Sequence, residues 1–138
     1  MAFHWPVRIY YEDTDSGGVV YYANYLKYLE RARTEWLREL GFEQNELLEE
    51  HHVIFVVREV HMEYLRPARF NDLLTVSVVP ALHGGSQIVV AQTVARPVDG
   101  GDDELLVQGE VKLVCVNAQT FKPVKIPMVI KERVIAAE

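Results

Sequence analysis

Two hydrophobic periods divide the chain. Between Tyr22 and Leu40 the apolar residues Tyr22, Tyr25, Leu26, Leu29, Ala32, Trp36, Leu37 and Leu40 recur at three- and four-residue steps. That spacing lays one apolar stripe along a helix. Gly41 supplies a C-terminal stop, because glycine adopts the left-handed conformation that ends helices at little cost. Arg31 and Glu35 sit one turn apart on the polar side, where they can pair. Phe42 to Glu50 reads as a short second helical segment.

From Val53 the period changes to two. Val60, Met62 and Tyr64 alternate with Glu59, His61 and Glu63, the pattern of a half-buried strand, and Arg66-Pro67-Ala68 ends it. Leu74, Val76 and Val78 continue as a second strand, His83-Gly84-Gly85-Ser86 is a hairpin signal, and Ile88, Val90 and Val94 form a third. After the Asp99-Gly100-Gly101 turn, Leu105, Val107, Val111, Leu113 and Cys115 occupy one face of a long fourth strand. Gly109 interrupts that face and implies a bulge or the close approach of another element. At the N-terminus Trp5 to Tyr11, rich in Val, Ile and Tyr, reads as a strand, and Pro127 opens a short terminal helix. The order predicts an α+β domain with one long helix against an antiparallel sheet of about five strands. One helical stripe covers only part of such a sheet, so an oligomer that hides sheet edges is expected.

At 138 residues, 49% of them hydrophobic, the chain suits one domain spanning 1–138 with a single core. Its longest polar, glycine-containing stretch, Pro97 to Asp103, is turn-sized rather than a linker. No window approaches the roughly 20 apolar residues of a membrane-spanning helix, and Met1 to Tyr10 lacks the pattern of a secretion signal. The net charge of −6 disfavours nucleic acid and anionic lipid as partners. A single cysteine, Cys115, excludes an internal disulfide and sits in an apolar run, where it acts as a small hydrophobe. These features point to a cytoplasmic protein.

Candidate chemistry is concentrated between the first strand and the long helix. Glu12, Asp13 and Asp15 fall there with Gly17 and Gly18. A helix N-terminus offers unpaired N–H groups and partial positive charge, which can hold a carboxylate or polarise a carbonyl oxygen. A carboxylate beside it can attack a carbonyl or activate water. Equally, Asp-x-Asp in a loop serves as turn and cap chemistry. A calcium loop does not fit, since Asn24 rather than Glu stands twelfth from Asp13. The five histidines show no metal-ligand spacing, so neither a metal nor another cofactor is expected. No Gly-x-Ser-x-Gly elbow occurs, which disfavours a serine hydrolase.

Tyr10-Tyr11-Glu12-Asp13-Thr14-Asp15-Ser16-Gly17-Gly18-Val19-Val20-Tyr21, followed by Asn24-Tyr25 and Glu30-Arg31-Ala32-Arg33-Thr34-Glu35, resembles the bacterial acyl-CoA thioesterases of the 4-hydroxybenzoyl-CoA thioesterase type. The branch associated with the Tol-Pal envelope system is the most similar part of that family. The likeness runs on through Phe55-Val56-Val57-Arg58, Glu63-Tyr64 and Pro67-Ala68-Arg69-Phe70-Asn71-Asp72, and more weakly to about Pro127. It implies a hotdog fold, a central helix wrapped by an antiparallel sheet, assembled as a homodimer or homotetramer. It also implies Asp15 as the catalytic carboxylate, nucleophile or general base, and the backbone N–H of Tyr22 as oxyanion donor. The site would lie between subunits, with Val57 facing the thioester from the second one.

The chain departs from that pattern in two places. Many members of the branch carry histidine at the position of Tyr22, which leaves a backbone role there. Related enzymes place Arg or Lys in the hairpin that meets the CoA nucleotide, where this chain has His83-Gly84-Gly85-Ser86. Arg66, Arg69 and His83 are therefore the candidates for substrate binding, and an acyl carrier protein is the alternative to acyl-CoA. The helix lacks the histidine of hotdog hydratases, which disfavours dehydration chemistry. A rival reading from another class keeps the fold without turnover, as an acyl-carrier-binding or envelope-complex adaptor.

Overall fold

The computed structural model describes residues 2–138, with strands β1 (Phe3–Arg8), β2 (Val53–Tyr64), β3 (Leu73–His83), β4 (Gln87–Arg96) and β5 (Glu104–Asn117). Helix α1 spans Asn24–Glu39, a short α2 (Gln44–Glu46) runs into a wide turn at Leu47–His51, and α3 spans Met128–Ala137. All strand pairs are antiparallel, in the order β1-β3-β4-β5-β2. The helical stripe lies on the concave face of this sheet, where Tyr25, Tyr28, Leu29, Ala32, Trp36 and Leu37 are buried against Val76, Val78, Val90, Val94 and Val111. The architecture is the α+β helix-on-sheet arrangement that the periodicity predicts and the hotdog fold that the resemblance implies. No helix among the described residues is long and apolar enough to cross a membrane.

Several boundaries differ from the sequence reading, each for a local reason. Strand β1 ends at Arg8 rather than Tyr11, because Tyr11–Asp13 closes into a 3₁₀ turn with Tyr10 N–H donating to Asp13 Oδ2 at 2.7 Å. Helix α1 begins at Asn24 rather than Tyr22, since the N–H groups of Val20 and Tyr21 are drawn away to Ala68 O and Asp13 O. Tyr22 and Leu26 are therefore exposed, and Tyr28 takes the core position instead. Gly41 ends the helix at φ +98, with Phe42 N–H reaching back to Leu37 O at 2.8 Å. Glu35 pairs with Arg38, not with Arg31, while the Arg31 guanidinium lies over the Tyr28 ring at 5.9 Å.

The second strand shows the largest departure. Its alternation predicts a buried face, yet Val60 and Tyr64 are 41% and 46% exposed. Helix α1 packs chiefly over β3 and β1 and meets β2 at Tyr64, whose ring lies 5.7 Å from that of Tyr25, which leaves much of the edge strand uncovered. On β5 the register shifts where Val94 pairs with Val107 and Ala95 pairs with Leu105. The residue between, Leu106, is the fully buried one, and Leu105 leaves the expected face.

Gly109 marks a close approach and not a bulge. It pairs in register with Met62 and Gln92, and a Cβ there would collide with the His61 carbonyl and come within 2.6 Å of Met62 Sδ. Gly109→Ala must push β2 away from β5, and overpacking of this kind costs about 1–3 kcal/mol. Denaturant unfolding is expected to show that loss, and a variant as stable as wild type would show that β2 moves freely.

Candidate active site

The loop between β1 and α1 folds into a small hairpin with Asp15 at its tip. Thr14 bridges to Val20, Asp15 N–H donates to Val19 O at 2.9 Å, and Gly18 N–H returns to Asp15 O at 3.0 Å. Gly18 stands at φ +80, a conformation that glycine takes without strain. The Asp15 carboxylate is exposed and receives Gly17 N–H on Oδ1 at 2.9 Å. A Cβ on Gly17 would stand 3.2 Å from that oxygen, so a side chain there would crowd the carboxylate. The second strand of the hairpin is tied to the body by the Val19–Arg69 bridge and by Val20 N–H to Ala68 O at 2.9 Å.

Asp13 fixes the hairpin to the start of the helix. Its carboxylate accepts Tyr10 N–H. Its main-chain carbonyl accepts Tyr21 N–H at 3.0 Å and the Asn24 side-chain amide at 2.9 Å. With Tyr21 N–H bound and Asn24 N–H donating to Tyr21 O at 2.9 Å, Tyr22 N–H has no acceptor among the described residues. It is one of the orphan donors that every helix N-terminus presents. Its ring stands edge-on to Tyr64 at 6.0 Å, at the end of β2.

Tyrosines line the floor beneath this loop. Tyr25 Oη accepts Ala68 N–H at 3.0 Å, which joins α1 to the segment beside the hairpin, and burial raises its pKa above the ordinary phenol value. The Tyr28 hydroxyl is buried without a hydrogen-bond partner among the described residues. Burial, and then the neighbouring Asp13 charge, push its pKa up strongly. Both phenols are therefore held neutral. Cys115 lies in the core, where burial pushes its thiol up to about 11, out of range for a nucleophile.

The other residues singled out by sequence are spread over the molecule. Arg69 adjoins the Asp15 hairpin directly; its N–H donates to Asp72 Oδ2 at 2.8 Å, and its guanidinium has no carboxylate within 4.0 Å among the described residues. Arg66 lies 3.8 Å from Glu104, at the end of a chain of charges in which Arg96 bridges Asp72 at 2.6 Å and Glu104 at 2.5 Å. Val57 is half exposed on β2, paired with Leu113. His83 closes β3 at the far end from Leu73, about 33 Å away at roughly 3.3 Å per strand residue. One chain thus places Arg69 beside the Asp15 hairpin and Tyr22 just after it, and leaves His83 at the far end of β3.

Two polar residues that the sequence reading passed over prove central to the packing of helix on sheet. Gln92, fully buried on β4, accepts Arg33 Nη1 on Oε1 at 2.9 Å and donates to Leu29 O at 3.2 Å and Ser77 O at 3.3 Å. The available signal was Gln92's place in phase with Ile88, Val90 and Val94, a polar residue at a core position.

Comparison with known proteins agrees with this geometry. The sequence pattern of the Thioesterase-like superfamily matches residues 10–134. The acyl-CoA thioester hydrolase YbgC of Escherichia coli is 44% identical over 125 residues, covering 91% of this chain and 90% of that one. The acyl-CoA thioesterase YbgC of Haemophilus influenzae is 43% identical over 130 residues, with 94% and 92% covered. A probable thioesterase from Bartonella henselae superposes with a TM-score of 0.82 at 32% identity, covering 92% of this chain and all of the other. In fold, the 4-hydroxybenzoyl CoA thioesterase from Pseudomonas sp. strain CBS-3 superposes at 0.87, with 20% identity over 96% and 98% of the two chains. With its helix, sheet order and Asp-x-Asp loop all in place, the chain belongs to the thioesterase-like superfamily, as a hotdog-fold relative of the YbgC proteins.

Proposed function

We propose that this protein hydrolyses acyl-CoA thioesters to the free acid and thiol, with Asp15 as the catalytic carboxylate. One observation carries the reading: the exposed Asp15 carboxylate and the unengaged Tyr22 N–H flank the same Asp13 anchor. A thioester carbonyl placed between them meets a donor for its oxygen and a base or nucleophile for its carbon. Acting as nucleophile, Asp15 attacks the carbonyl carbon, the thiolate leaves, and water hydrolyses the resulting mixed anhydride. Acting as base, it takes a proton from the water that attacks. Both routes consume one water and release acid and thiol, and neither calls on a metal or cofactor. The single buried thiol and the absence of a membrane-length helix among the described residues suit a cytoplasmic enzyme.

Completion of the site calls for a second subunit. Strand β2 is a 12-residue edge with Val57 and Val60 exposed, and an uncovered edge of that length invites pairing with a copy of itself. Pairing along β2 would bring Val57 of one subunit toward the Asp15 loop of the other. The carrier, CoA or an acyl carrier protein, is anionic, and Arg69 is the cation next to Asp15 without a counter-charge.

Asp15→Asn is expected to lower thiol release at least about 100-fold with the fold intact, since an amide is neither base nor nucleophile. Asp13→Asn should be milder, losing about 0.5–2 kcal/mol of loop stability with its charged cap. A thiol-release assay on the two purified variants checks this, and the reverse order of severity would exchange their roles. A folded wild type that binds acyl carriers without releasing thiol would make the protein an adaptor.

Sedimentation at micromolar concentration should give a dimer or tetramer, and an active 15.8 kDa species would refute a shared site. Arg69→Ala should raise KM several-fold with kcat little changed, because such a charge binds substrate and transition state alike. Arg66→Ala should do less, with Glu104 already beside it. Added salt should weaken substrate binding by wild type more than by Arg69→Ala, as expected for an exposed charge.

A further inference from the structure

A cavity of about 190 Å³ lies under α1, between the helix and the β2–β5 pair. Trp36, Leu37, Phe55, Val57 and Leu113 form apolar walls, and Arg33 enters from the helix. The Arg33 guanidinium carries five N–H donors, of which Nη1 meets Gln92 Oε1 at 2.9 Å. Gln92 is neutral and already committed to two backbone carbonyls. No carboxylate lies within 4.0 Å of Arg33 among the described residues. Glu30, at the cavity rim, is exposed to water and engaged by the Thr34 hydroxyl at 3.3 Å. Arg33 is partly buried; burial pushes its pKa down while the nearby Glu30 charge pulls it up, and its single hydrogen-bond acceptor is neutral, so its remaining donors can take an anion. Val57, the residue set against the thioester by its place in the motif, lines this same cavity.

We infer that the cavity receives the far end of the acyl group and that Arg33 selects a short acyl chain ending in a carboxylate. The inference rests on the thioesterase reading and names its substrate class. A cavity of about 190 Å³ suits a short chain better than a long fatty one. The apolar walls take the methylenes. The spare guanidinium donors take the terminal oxygens through charge-assisted bonds, roughly twice as strong as neutral ones. Arg33 is a specificity residue, remote from the reacting carbon.

Hexanoyl-CoA and adipyl-CoA share a six-carbon backbone and differ in a terminal methyl against a terminal carboxylate. For wild type, kcat/KM on adipyl-CoA is expected to exceed that on hexanoyl-CoA at least about fivefold. Arg33→Met should lower that ratio about tenfold or more, and Arg33→Lys should fall between, given the strength of charged hydrogen bonds. The ratio is internal to each preparation, so partial loss of folded protein cancels. A ratio below one in wild type, or the same ratio in Arg33→Met, overturns the inference, as does a cavity filled by the second subunit, which would leave both proteins indifferent. Calorimetric binding of the two thioesters to Asp15→Asn, with and without Arg33→Met, reads the cavity without turnover. Absence of thiol release from either ester by wild type would defeat the thioesterase reading alone. The binding arm then decides for the cavity: adipyl-CoA held several-fold tighter in an Arg33-dependent way supports it, and equal binding refutes it.

Discussion

The main-chain carbonyl of Asp13 accepts two hydrogen bonds, from Tyr21 N–H and from the Asn24 side chain, and the geometry of the candidate site depends on that shared acceptor. It is the point at which the loop from β1 is joined to the start of α1. Tyr21 N–H is used there, the regular helix begins at Asn24, and Tyr22 N–H is left without an acceptor among the described residues. Because Asp13 also holds Tyr10 N–H through its carboxylate, the hairpin that carries Asp15 has its base fixed on both sides. The candidate carboxylate and the orphan donor are thereby attached on either side of one anchor, held by main-chain bonds together with the Asp13 and Asn24 side chains. That is the physical content of preorganisation in this loop.

The scaffold under the loop explains why a single carbonyl suffices. Tyr25 reaches from α1 to Ala68 N–H, and Val20 N–H binds Ala68 O, so the hairpin, the helix and the segment before β3 close on one residue. Ala68 is fully buried, and a larger side chain there would separate all three. At its other end α1 is held by Arg133 of α3, which donates to Leu40 O at 2.7 Å. The helix is thus fastened at both termini by polar contacts, and between them by an apolar stripe and one polar contact, partly buried Arg33 to buried Gln92.

Much of this was legible in the residues. The change of period at Val53, the hairpin at His83 to Ser86, the stop at Gly41 and the terminal helix behind Pro127 all stand where the pattern puts them, because local rules of helix ending and turn chemistry act there unopposed. The readings that failed did so where a distant group intervened. Strand β1 stops early because Asp13 captures Tyr10 N–H, and Leu106 replaces Leu105 in the core because β4 and β5 shift register. Val60 and Tyr64 stay partly exposed because α1 lies chiefly over β3 and β1 and covers little of β2. Periodicity tells which residues belong on one face, and it does not tell which faces another element covers.

For function the division runs along the same line. Sequence by itself determined the candidate carboxylate, the glycines beside it and the helix that follows, since Asp15, Gly17 and Gly18 lie within four residues and their chemistry is local. It also determined that Cys115 is a core residue. Only the tertiary structure decided that Arg69 adjoins the Asp15 hairpin while Arg66 faces Glu104, and that His83 lies at the other end of the sheet. It alone placed Arg33 against Gln92, 59 residues away in the chain. Contacts between remote residues depend on strand order and register, which no local pattern encodes, and charges are neutralised or left free by those remote contacts.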